Sequence, residues 1–308
     1  MHADHRRHYL MCRPTYFTVS YEINPWMDRS RPVDTPLAVA QWERLRDTHR
    51  DLGHTVETID PAPGLPDMVY AANGATVVDG LVYSARFRHP ERGPEGPAYL
   101  KWFADHGYVT HLAEHVNEGE GDLLVAGDVV LAGTGFRTDR AAHAEAAALW
   151  GREVVTLELV DPRFYHLDTA LVVLRGNQGG RPTAPASAPG ASAGRAAGPG
   201  VQHPGLLGDP PDVAYYPQAF SPASQEVLRD RFPDAHLASE EDAVVLGLNA
   251  VSDGTHVVLN PRAEHLAGAL RERGYETVGV DTSELLRGGG GAKCCTLEVR
   301  PARDGHAS

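Results

Sequence analysis

The feature that most limits what this chain can fold into is a unit that recurs five times: a short β-hairpin, a helix closed by glycine, and one further short strand. A unit of this size cannot bury an apolar face alone, so successive copies must pack on one another around a shared axis. In the second copy, Ala75-Thr76-Val77-Val78, the turn Asp79-Gly80 and Leu81-Val82-Tyr83 read as a hairpin. Ala98 to His106 then reads as a helix stopped by Gly107, and Tyr108 to Leu112 as a strand. The third copy has Leu123 to Val125 and Val129 to Ala132 around Gly127-Asp128, a helix over Ala141 to Trp150, and a strand over Val154 to Leu159. The fourth pairs Ala170 to Leu174 with Val213 to Tyr216 before a helix over Ser224 to Arg231. The fifth pairs Val244 to Leu248 with His256 to Leu259, followed by a helix over Arg262 to Arg273 and a strand over Tyr275 to Val280. The first is the least regular: strands around Phe17 to Ile23, a helix over Pro36 to Leu52 and a strand over Thr55 to Ile59, with Cys295 to Val299 as the last strand of the circuit. One closed α/β domain over 11–302 is expected, with 1–10 a disordered extension, 303–308 a tail, and loops converging on one central pocket.

The segment 176–212 interrupts the fourth hairpin with Gly, Pro, Ala and Ser, and reads as a flexible insertion that cannot bury enough to offset its ordering entropy. With 28 Lys and Arg against 41 Asp and Glu, the net charge of -13 argues against a nucleic-acid partner. No apolar run approaches the length of a membrane helix, and the His- and Arg-rich start has no signal-like core, which reads as cytosolic. Three cysteines, two of them adjacent, suit a reducing compartment better than a disulfide framework. The sequence leaves self-association open.

Polar residues gather where the loops should converge. Gly288 to Gly291 deliver Cys294 to the start of a strand, with Lys293 beside it to favour the thiolate; a lone cysteine is as often a small buried hydrophobe, but four glycines signal close backbone approach. Cys295 would point the opposite way and pack inward. His166 and Asp168 would lie side by side at a strand start, a proton carrier and a fixed anion, although a lone histidine is more often a hydrogen-bonded surface group. Asn117-Glu118-Gly119-Glu120-Gly121-Asp122 holds three carboxylates, which suit orienting a histidine or holding a guanidinium; the bland alternative is a solvated turn. No second His or Cys at ligand spacing accompanies them, which makes a metal the less favoured reading. Asn24 and Asn73 precede Pro and Gly and are turn signals first, Asp67 lies in the segment leading to Asn73, and Arg86, Arg88, Arg92 and Arg137 could fork onto a carboxylate.

The repeat, the glycine run before Cys294, His166-Leu167-Asp168 and the Glu-Gly loop before Asp122 together resemble the guanidine-modifying superfamily of arginine deiminases, amidinotransferases and dimethylargininases. The resemblance implies a five-bladed α/β propeller, the pentein fold, with covalent chemistry at a guanidinium carbon and no cofactor. It implies that Cys294 attacks, that His166 serves as acid and then base, and that an acid orients His166; Glu118 matches best and Glu120 stays open. Asp168 would grip the guanidinium, Asp67, Asn73 and Asn24 would contact substrate, and Arg137 with Arg86 or Arg88 would meet its carboxylate. Typical dimethylargininases have Glu-Asp where this chain has Ala72-Asn73, and lack the acid found here as Asp168. The opening Met11 to Phe17, with Asn24 and Asn73, is similar to a subgroup containing arginine dihydrolases, in which paired asparagines are linked to carrying arginine to ornithine. An arginine dihydrolase is therefore the first expectation and dimethylargininase the alternative, ahead of an amidinotransferase and a non-catalytic binder of cationic amino acids.

Overall fold

The structure is a computed structural model that describes residues 6–176 and 211–302. In chain order its elements begin with β1 (His8–Cys12), α1 (Thr35–Asp51) and β2 (Thr55–Ile59). There follow β3 (Ala75–Val78), β4 (Leu81–Ser84), α2 (Glu95–Asp105) and β5 (Val109–His111), then β6 (Leu123–Ala126), β7 (Val129–Thr134), α3 (Arg140–Trp150) and β8 (Glu153–Glu158). A one-turn helix α4 (Leu167–Ala170) leads into β9 (Leu171–Arg175), β10 (Asp212–Tyr215), α5 (Pro222–Arg231) and β11 (His236–Leu237). The one-turn helix α6 (Glu240–Ala243), β12 (Val251–Ser252), β13 (His256–Leu259), α7 (Glu264–Glu272), β14 (Glu276–Gly279) and β15 (Leu297–Glu298) complete the order.

Among the described residues the strands form five three-stranded sheets, and the fold is mixed α/β. In four of them two antiparallel strands form a hairpin and a third returns parallel to the second after a crossover helix. The remaining sheet has the same pattern with its first arm taken from the far end of the chain: β15 pairs antiparallel with β1, and β2 runs parallel to β1. β3 is buried along its length, whereas Val109 of β5 and Leu237 of β11 are 68% and 54% exposed, so the hairpins face inward and the returning strands form the outer edges. β15 packs on β3, β6 on β9 and β9 on β12. Local chemistry fixes the boundaries: the Asp34 carboxylate accepts from Leu37 N at 3.0 Å to start α1, and Asp79-Gly80, both at positive φ, make the tight β3–β4 turn.

Several expectations need correction. Residues 8–10 belong to β1, held on both sides by β2 and β15, while residues 1–5 lie outside the described residues. Phe17 to Ile23 form no strand, because β1 takes the central place in that sheet. The first arm of the fifth hairpin is Val251–Ser252; Val244 to Leu248 follow α6, whose start Ser239 caps by accepting from Asp242 N at 3.2 Å. The last strand shortens to Leu297–Glu298, which leaves Cys294 and Cys295 in a turn. Residues 177–210 of the expected insertion lie outside the described residues, and its flanks are the paired strands β9 and β10. No helix among the described residues is long and apolar enough to cross a membrane.

Candidate active site

The residues that converge come from the same place in each unit, two or three positions before its first strand: Asn73 before β3, Glu120 before β6, Asp168 before β9, Asn249 before β12 and Cys294 before β15. The glycine run is a close-packed cradle for the last of these. A Cβ on Gly288 or Gly290 would strike Tyr70, and one on Gly289, at φ +95°, would meet the Tyr165 hydroxyl at 2.6 Å. Tyr165 and Tyr70 are tied in turn to the Gly289 and Leu285 carbonyls at 2.9 and 2.6 Å. The run therefore holds a buried thiol against two aromatic rings.

The Cys294 thiol donates to Asp168 Oδ2 at 3.2 Å and accepts from Asn249 Nδ2 at 3.1 Å. Burial, then the Asp168 charge, push the thiol up from its usual range, and burial pushes the Asp168 carboxyl up to about 7. Lys293, expected to favour the thiolate, is instead paired at 2.5 Å with Glu120, which Arg300 also grips and which accepts from Glu298 N at 3.0 Å. Glu120 is thus committed to a separate ion network and does not reach His166.

His166 is bonded through Nε2 to Glu118 Oε2 at 2.8 Å, and the same oxygen accepts from Arg137 Nη1 at 2.9 Å. Burial alone would raise the Glu118 carboxyl, but Arg137, His166 and Arg92 outweigh it and hold it well below the usual range. A carboxylate there makes Nε2 the donor, which leaves His166 Nδ1, buried and without a hydrogen-bond partner, for chemistry. His166 and Asp168 do not alternate along a strand. Leu167 starts a helical turn because Asp122 Oδ1 accepts from its N–H at 3.0 Å, and Asp122, buried beside His166, is pushed up to about 6. A Cβ on Gly121 would meet both the His166 ring and Asn73 Nδ2, so those two groups converge on one spot. Ala72 N donates to the Cys294 carbonyl at 3.0 Å, bringing Asn73 beside the nucleophile loop.

Arg92 binds both Glu95 oxygens at 3.1 and 2.8 Å and donates to Asn73 Oδ1 at 2.9 Å, which turns the partnerless Asn73 Nδ2 away from it. Asp67 takes the Tyr21 hydroxyl on Oδ2 at 2.9 Å and keeps a buried, partnerless Oδ1, as does Asp168. Other candidates are occupied differently. Asn24 donates to the Gly288 carbonyl and accepts from Trp26 N, bracing the glycine run. Arg137 lies over the Tyr165 ring and also donates to the Ile23 carbonyl at 2.8 Å. Arg86 and Arg88 are exposed, with Arg88 paired to Asp139 and donating to the Arg137 carbonyl at 3.2 Å. Asn249 is the residue the sequence reading missed; aligning the units on their first strands would have exposed it. Among the described residues no three His, Cys, Asp or Glu side chains are grouped to hold a metal ion.

The structure thus gathers from several units a buried thiol, a carboxylate beside it and a carboxylate-bound histidine, groups chemically able to carry out cysteine-dependent hydrolysis. No protein-family model matches the chain. The chain is 51% identical over 295 residues to the N(G),N(G)-dimethylarginine dimethylaminohydrolase of Mycobacterium tuberculosis, covering 96% of this chain and 86% of that one. It is 33% identical over 297 residues to the bifunctional arginine dihydrolase/ornithine cyclodeaminase ArgZ of Synechocystis, covering 94% of this chain and 37% of that longer protein. The solved N-terminal domain of ArgZ, a cysteine-to-serine mutant bound to substrate, superimposes with a TM-score of 0.81 at 32% identity, covering 96% of this chain and 98% of that one. This chain belongs to the guanidine-modifying superfamily, in the group that holds dimethylargininases and arginine dihydrolases, and is a hydrolase of guanidino C–N bonds.

Proposed function

We propose that the protein is a dimethylargininase, hydrolysing N-methylated arginine to citrulline and a methylamine. The observation that carries this reading is the 51% identity to a dimethylarginine dimethylaminohydrolase over nearly the whole chain, against 33% to the dihydrolase domain, so the first expectation from sequence gives way to its alternative. The site belongs to one catalytic domain that begins at β1 rather than at residue 11 and whose five sheets close into a propeller, a reading supported by β15 pairing with β1.

In this mechanism the guanidinium lies against the free Asp168 Oδ1, and its positive charge favours the Cys294 thiolate. The thiol proton passes to His166 Nδ1 as the thiolate forms; sulfur attacks the guanidino carbon, and His166 returns that proton to the departing amine as the C–N bond breaks, leaving a thiouronium on Cys294. His166 then takes a proton from water, whose oxygen adds to the same carbon; the C–S bond breaks and the thiolate returns. Glu118, held ionised by Arg137, keeps His166 in the tautomer that places the working nitrogen at Nδ1.

Asn73 favours a second reading, arginine dihydrolase: Arg92 fixes its oxygen, so it offers the site a donor suited to the ureido oxygen of citrulline. Mass spectrometry of products from asymmetric dimethylarginine and from arginine separates the two. Citrulline with dimethylamine from the methylated substrate is expected; ornithine with two ammonia from arginine, and no dimethylamine, would overturn the proposal.

A further inference from the structure

Asn249 lies just before β12, 1% exposed, with the hydrogen-bonding capacity of its side chain spent around Cys294. Its Oδ1 accepts from Gly291 N at 3.0 Å and from Cys294 N at 3.1 Å, while Nδ2 donates to the Asp168 carbonyl and to Cys294 Sγ, each at 3.1 Å. Its main-chain carbonyl also accepts from Lys293 N at 3.2 Å. The orientation of the amide is dictated by its partners: two backbone N–H groups require an oxygen on one side, and a carbonyl requires the NH2 on the other. A buried N–H is thereby aimed at the sulfur. The cradle leaves no slack on this side, since a Cβ on Gly291 would sit 3.0 Å from Asn249 Oδ1.

We propose that Asn249 positions the nucleophile and selects its ionised form, acting as a fixed hydrogen-bond donor to the Cys294 thiolate. This rests on Cys294 being the attacking group. A hydrogen bond to an anion is about twice as strong as one to a neutral acceptor, so the N–H favours the thiolate over the thiol. The other titratable groups around the sulfur are Asp168, Cys295, Tyr70 and Tyr165, with the Lys293–Glu120 pair beyond Asp168. Asp168 and Cys295 act on the thiol in the opposite direction to Asn249, and burial adds to them. Asn249 is therefore, beside the Gly291 N–H, a neutral donor that offsets an otherwise unfavourable environment, and through the Asp168 carbonyl it also fixes the spacing between nucleophile and guanidinium-binding acid.

The test is the pH dependence of Cys294 alkylation by iodoacetamide in the full-length protein, with the labelled thiol located by fragmentation mass spectrometry. N249D keeps an acceptor for both backbone N–H groups but sets an oxygen against the sulfur. Its alkylation midpoint should move at least about one pH unit to the alkaline side, about a tenfold slower reaction at fixed pH below it. N249A removes the donor without adding charge and should shift in the same direction, with kcat falling more than KM rises. N249A also supplies the answer if N249D does not fold. Midpoints equal to that of the unsubstituted protein would overturn the proposal, even if the variants were poorly active, because they would show a packing role only. A protein that alkylates at Cys294 yet hydrolyses no methylated arginine would refute the proposed function while leaving the midpoints to decide the role of Asn249.

Discussion

Replacing Glu118 with Gln tests the centre of the site. Glu118 is fully buried and its Oε2 serves both His166 Nε2 and Arg137 Nη1, with Arg92 Nη1 3.9 Å away. The amide retains the shape but removes the charge, leaving Arg137, 2% exposed, with the Ile23 carbonyl and a neutral oxygen as partners. Removing one member of a buried ion pair costs about 3–5 kcal/mol, and the remaining hydrogen bond places E118Q near the lower end. For a chain of this length that corresponds to a melting temperature lower by roughly 5–10 °C. Activity should fall at least about 10²-fold, because a neutral amide replaces the carboxylate that fixes the His166 tautomer. The sign with pH follows from the depressed Glu118 pKa: its stabilisation is present above the unfolded value of about 4.3 and is lost as pH falls toward the folded value. Melting curves of both proteins by circular dichroism at neutral pH and down into the acid range should show a gap that narrows below about pH 4. Equal melting temperatures at pH 7, or a gap that widens in acid, would refute the reasoning.

C294S should abolish turnover while its melting temperature stays within about 2 °C of the parent, as the hydroxyl keeps the bonds to Asp168 and Asn249; retained turnover would remove Cys294 from the mechanism. Asp168, raised to about 7 by burial, adds stability that is complete below its unfolded pKa of about 3.9 and lost as pH rises through about 7. D168N should therefore gain stability relative to the parent between about pH 5 and pH 8, read by thermal melting, while losing activity. G290A drives a methyl into the Tyr70 ring and to 2.9 Å from Cys294 Cβ, so urea unfolding should show a loss of about 1–3 kcal/mol together with impaired turnover.

The units of this protein are visible along the chain because hairpins, glycine stops and short apolar strands are local. The turn at Asp79-Gly80, the end of α3 at Gly151 and strand pairs such as β6 with β7 depend only on neighbouring residues. The same locality makes Cys294 and the Glu118–Asp122 loop conspicuous, since reactive residues among glycines stand out without any knowledge of their partners, and sets His166 two positions from Asp168. Which carboxylate serves which cation could not be read in this way. Glu118 and Glu120 are two residues apart in one loop, yet one meets His166 and Arg137 while the other meets Lys293 and Arg300 from the opposite end of the chain. Asn249 reads as an ordinary turn residue until Gly291 and Cys294, more than 40 positions away, bring their N–H groups to it. The first sheet is likewise assembled only when β15 meets β1. The sequence by itself determines the repeating units and the reactive side chains because both are written in short stretches. The tertiary structure alone decides the pairings, because in a water-excluded site each buried charge and donor must find its partner wherever the packing of distant units places it.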